Sequence, residues 1–226
     1  MNWSRPFARE RLGVAALVAV ALAIPAPRGA CGLSGQDILT KCAGVYDGVR
    51  DYTCRVTVAT NFPNVRMPTR TFTVYFKQPD KVKVESGGQL VMVPKDVLLF
   101  GDVHRHVRDN SKPVLAGQST RNGRPVYFLK ILPKDGRDPE RALVWVWGDT
   151  WTLKRTEMWR GDHRVLAADW THMAVGGFTM PKHVSCAVTG GRLAREGKGT
   201  VVVDFASWKI NSGLSDSIFA EPSKEK

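Results

Sequence analysis

From Tyr52 to Ile210 the chain is a succession of short runs rich in β-branched and aromatic residues, cut by turn dipeptides at close spacing. The runs Tyr52–Phe62, Thr69–Lys77, Lys81–Ser86, Gln89–Val93, Pro125–Leu132, Arg141–Trp147, Trp151–Trp159, Arg164–His172, Phe178–Val188 and Gly199–Ile210 read as strands. Pro79-Asp80, Gly87-Gly88, Gly148-Asp149, Gly161-Asp162, Gly176-Gly177 and Gly190-Gly191 mark turns, and Asn122-Gly123 carries the type I′ hairpin signal. Helices do not alternate with these strands, so a parallel α/β sheet is excluded and one antiparallel sheet is expected. Gly101–Asn122 is polar and irregular, and Pro94–Phe100 fits a short helix or a strand equally well.

One helix precedes the sheet. Residues 36–50 place Ile38, Leu39, Cys42, Val45, Tyr46 and Val49 on one apolar stripe, and Ser34 with Asp37 forms a capping-box pattern at its start.

Strand alternation then limits what the sheet can do. Phe72, Val74 and Phe76 oppose Thr71, Thr73 and Tyr75, an ordinary half-buried strand. Between Val126 and Leu132 both faces are apolar apart from Lys130. Leu143, Trp145 and Trp147 likewise oppose Val144 and Val146. One helix cannot cover both sides of about ten strands, so the sheet is expected to curl and enclose apolar volume. Seven tryptophans, most of them between Trp145 and Trp170, suit either a packed barrel core or the wall of a ligand cavity.

The N terminus is of another kind. Arg5, Arg9 and Arg11 precede an apolar run from Leu12 to Ala26. As a helix it reaches about 22 Å, less than a bilayer core. Residues 1–30 therefore read as a secretory signal peptide and 31–226 as one domain. Cys31 is a candidate for lipidation, which would anchor the exported protein to a membrane. Four cysteines, Cys31, Cys42, Cys54 and Cys186, suit an oxidising compartment, with Cys42 and Cys54 as the expected pair. The formal charge of +12 comes from Lys and Arg scattered without runs. It reads as a solvated basic surface and not as a nucleic-acid site.

Catalytic patterns are missing. The sequence has no G-x-S-x-G, H-E-x-x-H, P-loop or G-x-G-x-x-G. His104-x-His106 would share a strand face, yet no third ligand is identifiable and arginines flank the pair. The expectation is a protein without enzymatic activity, metal or cofactor.

Four segments, in order, carry a resemblance: Asp51-Tyr52-Thr53-Cys54-Arg55; Val74 to Glu85 (VYFKQPDKVKVE); Asn122 to Lys130 (NGRPVYFLK); and Lys209 to Phe219 (KINSGLSDSIF). Together they resemble the LolA/LolB-like superfamily of periplasmic lipoprotein carriers and lipoprotein-sorting proteins. The resemblance implies an unclosed antiparallel β-barrel, with the N-terminal helix and short helices covering its mouth over an apolar cavity. It implies an exported, periplasmic protein holding acyl chains of a lipoprotein or lipid, with a membrane donor or acceptor protein as partner. The candidate cavity wall is Phe72, Phe76, Leu90, Met92, Phe100, Tyr127, Leu129, Trp145 and Trp147. The other reading is an envelope structural or sensor module with a packed barrel and no lipid cargo.

Overall fold

The structure, a computed structural model, describes residues 32–63, 67–87, 109–133, 140–190 and 197–220. Helix α1 spans Gly35–Gly44 and is followed by ten strands: β1 Asp51–Asn61, β2 Arg70–Lys77, β3 Lys81–Glu85, β4 Ser111–Arg121, β5 Arg124–Pro133, β6 Glu140–Trp147, β7 Leu153–Arg160, β8 His163–Val175, β9 Phe178–Val188 and β10 Gly199–Ile210. They form one antiparallel sheet in the order β3-β2-β1-β10-β9-β8-β7-β6-β5-β4. The edge strands β3 and β4 do not pair with each other, so the barrel is unclosed. The β1–β10 pairing joins the two ends of the strand sequence and brings the C-terminal strand into the middle of the sheet.

Local chemistry explains the element ends. Ser34 accepts from the Asp37 N–H, and the Asp37 carboxylate accepts from the Ser34 N–H at 2.9 Å, closing the expected capping box. Gly35 is required by close approach, since a Cβ there would lie 2.6 Å from the Pro113 carbonyl oxygen of β4. Asn122 and Gly123 both take positive φ, 50° and 75°, as a type I′ turn needs.

Two elements differ from the sequence reading. Helix α1 stops at Gly44, where 36–50 was expected, and the chain tightens into turns in which the Tyr46 N–H donates to Ala43 and the Val49 N–H to Tyr46. Strand β4 lies in the stretch read as irregular. It is an edge strand with Pro113 and a register shift between Leu115 and Gly117. Such a position tolerates proline and weak alternation, because only one side of the strand must complete a ladder. The expected strand Gln89–Val93 and the segment Pro94–Phe100 lie outside the described residues.

One face of the sheet is largely apolar. Matching residues across the ladders gives a row Val201, Cys186, Ala168, Thr156, Val144, Leu129 and Leu115 from β10 to β4. Parallel rows carry Phe72, Val56 and Phe205, and Phe76, Tyr52 and Ile210. This is the inner face. Helix α1 buries Ile38, Leu39 and Cys42 against Leu129, Val144 and Val146. A few residues on, Tyr46 and Val49 pack among Phe72, Phe76 and Phe205. One short segment thus touches β4–β6 and β1–β2, which is possible only because the sheet curls around it.

Candidate functional site

Two cores share the inner face. The first, under β1, β2, β10, β9 and β8, is filled by the protein's own side chains: Phe72, Val74, Phe76, Val56, Cys54 and Phe205 are at most 6% exposed. Tyr52 stacks on Phe76 at 5.0 Å and meets Trp208 edge-on at 5.3 Å. The second core, under β5 and β6, is closed by α1. At its end Trp151 stacks on Tyr127 at 5.6 Å and 9°, and the Lys41 ammonium of α1 lies 4.9 Å from the same indole. Trp151 takes φ 57°, a left-handed conformation rare for an aromatic residue, so the packing of this stack holds a strained turn.

Between the cores the inner face is less covered. The row nearest the other end of the strands runs Val188, Leu166, Met158, Ala142 and Ile131. Leu166 and Ala142 are half-buried, and Met158 is 47% exposed although it stands in an apolar row. Val84 of β3, opposite Val74, is a second exposed apolar side chain on this face. The Thr60 hydroxyl of β1, opposite Val201, is buried and has no hydrogen-bond partner. An inner face with an open apolar rim can take up hydrocarbon, since each CH₂ moved out of water contributes about 0.8 kcal/mol.

The residues expected to form a cavity wall divide. Phe72, Phe76, Tyr127 and Leu129 lie on the inner face, the first two inside the first core and the others in or against the second. Trp145 and Trp147 lie on the outer face, opposite Phe128 and Val126, while their neighbours Val144 and Val146 point inward. Leu90, Met92 and Phe100 lie outside the described residues, as do Cys31, His104 and His106. The second apolar face of β5 and β6 therefore looks outward and is not what the sheet encloses. Sequence reasoning had no signal for Met158, because a lone methionine beside charged residues does not reveal its neighbours across two ladders.

The C-terminal segment Lys209 to Phe219 proves to be a structural tie. The buried Asp51 carboxylate accepts from the N–H and hydroxyl of Ser212 and from the N–H of Gly213, at 2.8 to 3.2 Å. Asn211 accepts from the Arg50 N–H at 2.7 Å and donates to the Gly48 carbonyl at 2.9 Å. Lys77 donates to the Leu214 carbonyl and, with Lys81, pairs with Asp216. The Asp51, Lys77–Lys81 and Asn211–Asp216 segments thus meet at one end of the barrel.

The cysteines correct the expected pairing. Cys42, Cys54 and Cys186 are free thiols. Cys42 on α1 faces the second core and Cys54 on β1 the first, so their side chains serve different clusters. Burial pushes the Cys42 thiol up to about 12 and raises Cys54 as well, while burial and the charge of Asp169 push Cys186 to about 11. All three stay protonated at neutral pH and are poor nucleophiles. Among the described residues no three His, Cys, Asp or Glu side chains are grouped to hold a metal ion. His183 is paired with Asp204 at 2.7 Å.

An unclosed antiparallel barrel around a helix defines the class, and solved structures agree. No protein-family profile and no curated protein matches the chain in sequence. A DUF1329 family protein from Desulfovibrio piger is similar in structure with TM-score 0.62 and 19% identity, covering 82% of this chain and 95% of that one. A LolA superfamily protein from Nitrosomonas europaea gives TM-score 0.56 at 15% identity, covering 84% and 99%. A domain described as an outer membrane lipoprotein-sorting protein, from Vibrio parahaemolyticus, gives TM-score 0.60 at 10% identity, covering 82% and 95%. The chain has the LolA-like fold.

Proposed function

We propose that the protein is a non-enzymatic binding protein of the cell envelope that holds an acyl chain of a lipoprotein or lipid against its inner face. The observation that carries this reading is Met158, an exposed side chain on the inner face, flanked by half-buried Leu166 and Ala142, which pack against the first and the second core. The LolA-like fold and the signal-peptide pattern of residues 1–30 support it, and they favour export to the periplasm with a membrane protein as donor or acceptor. Binding is physical: hydrocarbon leaves one apolar environment for another of similar depth, and shape decides direction.

Uptake of a fluorescent fatty-acid probe, with native mass spectrometry for lipid that copurifies, tests it. Met158→Asp is expected to lower probe affinity about tenfold while leaving the circular dichroism unchanged, because a charge then stands on the rim. A lipid-free protein without probe affinity overturns the reading in favour of the envelope structural or sensor module with a packed barrel.

A further inference from the structure

The outer face differs sharply along the sheet. Across β4–β7 it presents Val114, Lys130, Leu143 and Glu157 in one row and Phe128, Trp145 and Arg155 in the next. Phe128 and Trp145 stack at 4.8 Å. The Arg124 guanidinium lies 4.0 Å above Trp147 and the Lys154 ammonium 5.6 Å from it, while Arg141 lies 5.0 Å from Trp159. Neither apolar core includes these outer rings, and Val114 is 50% exposed.

The charges are unbalanced. Glu157 is answered by Arg155 and Arg164, Asp169 by Arg155, and Asp149 by Arg124. Lys112, Arg121 and Lys130 are exposed and have no acidic partner among the described residues. Arg121 stands directly opposite Arg124 across the β4–β5 ladder. Asp149 already holds the Arg124 guanidinium, so Arg121 is the cation of this pair left for an outside anion, and like charges directly opposite are destabilising.

We propose that the outer face of β4–β7 docks on a bilayer surface rich in anionic headgroups. Indole rings with a cation stacked on them match the headgroup layer, where the ring meets apolar matter and the cation meets phosphate. Each added Lys or Arg near such a surface strengthens attachment. A convex β face offers no groove for a peptide, and its Trp147 and Trp159 rings are capped by cations while Phe128 and Trp145 stack on each other, instead of standing free to stack on bases. The proposal does not depend on what the inner face holds.

Sedimentation of the full chain with vesicles of phosphatidylglycerol and phosphatidylcholine tests it, against vesicles of phosphatidylcholine alone. The segment before α1 is common to all variants and cancels in the comparison. Arg121→Glu with Lys130→Glu is expected to weaken binding to the anionic vesicles about tenfold or more. Lys198→Glu with Lys209→Glu makes the same change of net charge elsewhere, and binding should stay within about twofold, as expected when a screened charge lies off the contact. Fatty-acid probe uptake should be equal in both variants, which separates this test from that of the acyl-binding reading. Equal loss in both pairs, no loss in either, or binding to the zwitterionic vesicles of equal strength overturns the proposal. So does retention on duplex DNA with no affinity for anionic vesicles, which would make the face a polyanion site.

Discussion

The half of the sheet around β1, β2 and β10 and the half around β4–β7 solve burial in different ways. In the first, Phe72, Val74 and Phe76 point inward while Thr71, Thr73 and Tyr75 face out, so one set of ladders buries one set of side chains. In the second, Val144 and Val146 point into the α1 core while Trp145 and Trp147 point out under arginine and lysine. The first half is complete by itself. The second has a helix on one side and leaves apolar rings with a surplus of cations on the other, so its strand pattern encodes a contact as well as a core.

Truncating the two cores should expose this contrast most strongly. Phe72→Ala is expected to cost about 4 kcal/mol, since the hydrogen-bonded ladders of the curled sheet around it cannot collapse into the void. Leu129→Ala should cost about 3 kcal/mol, less than its full burial implies, because α1 can settle toward the void. Denaturant unfolding of both variants measures the pair, and a larger loss at Leu129 would reverse the comparison.

A smaller effect is expected at the charged outer cluster. Burial raises the pKa of Glu157, but hydrogen bonds from Arg155 and Trp159 and the charges of Arg155 and Arg164 outweigh it and hold the carboxylate below its ordinary value. The unfolded chain then binds the proton at higher pH than the folded one. Stability from this group is present above the ordinary glutamate range and is lost as pH falls through the depressed folded value. Glu157→Gln should cost about 2 kcal/mol near neutral pH and flatten the acid limb of a melting-temperature profile. An unchanged acid limb would mean that the cluster is carried by geometry alone.

The smallest change concerns the helix that separates the halves. Ser34→Ala removes the cap of α1 and should cost about 1 kcal/mol, read as a lower denaturation midpoint. Protection of the α1 amides in hydrogen exchange should fall, and that of the β1–β2 amides should stay, if the helix belongs to the second half.

Strand positions were legible because a period of two with glycine, proline and asparagine punctuation is a local signal. Nine of the ten described strands fall within a few residues of their expected places. Strand β4 was not legible: its pattern is broken by Pro113 and the shift at Leu115, which only an edge can absorb. Of the expected wall, Phe72, Phe76, Tyr127 and Leu129 share the inner face, while Trp145 and Trp147 do not. Alternation reports that a strand has two apolar faces; it carries no sign to say which is inside.

What the amino-acid order determined is the local grammar: the capping box at Ser34, the Asn122-Gly123 hairpin, and an antiparallel sheet whose strands near Trp145 are apolar on both faces. Only the tertiary structure decided that Cys42 and Cys54 belong to separate cores, that Asp51 ties down Ser212 and Gly213, and that Met158 stands open on the inner rim. The physical reason is range. Propensity and turn chemistry act within a few residues, whereas the Asp51–Ser212 tie spans 161 positions and exists only once the last strand has found the first.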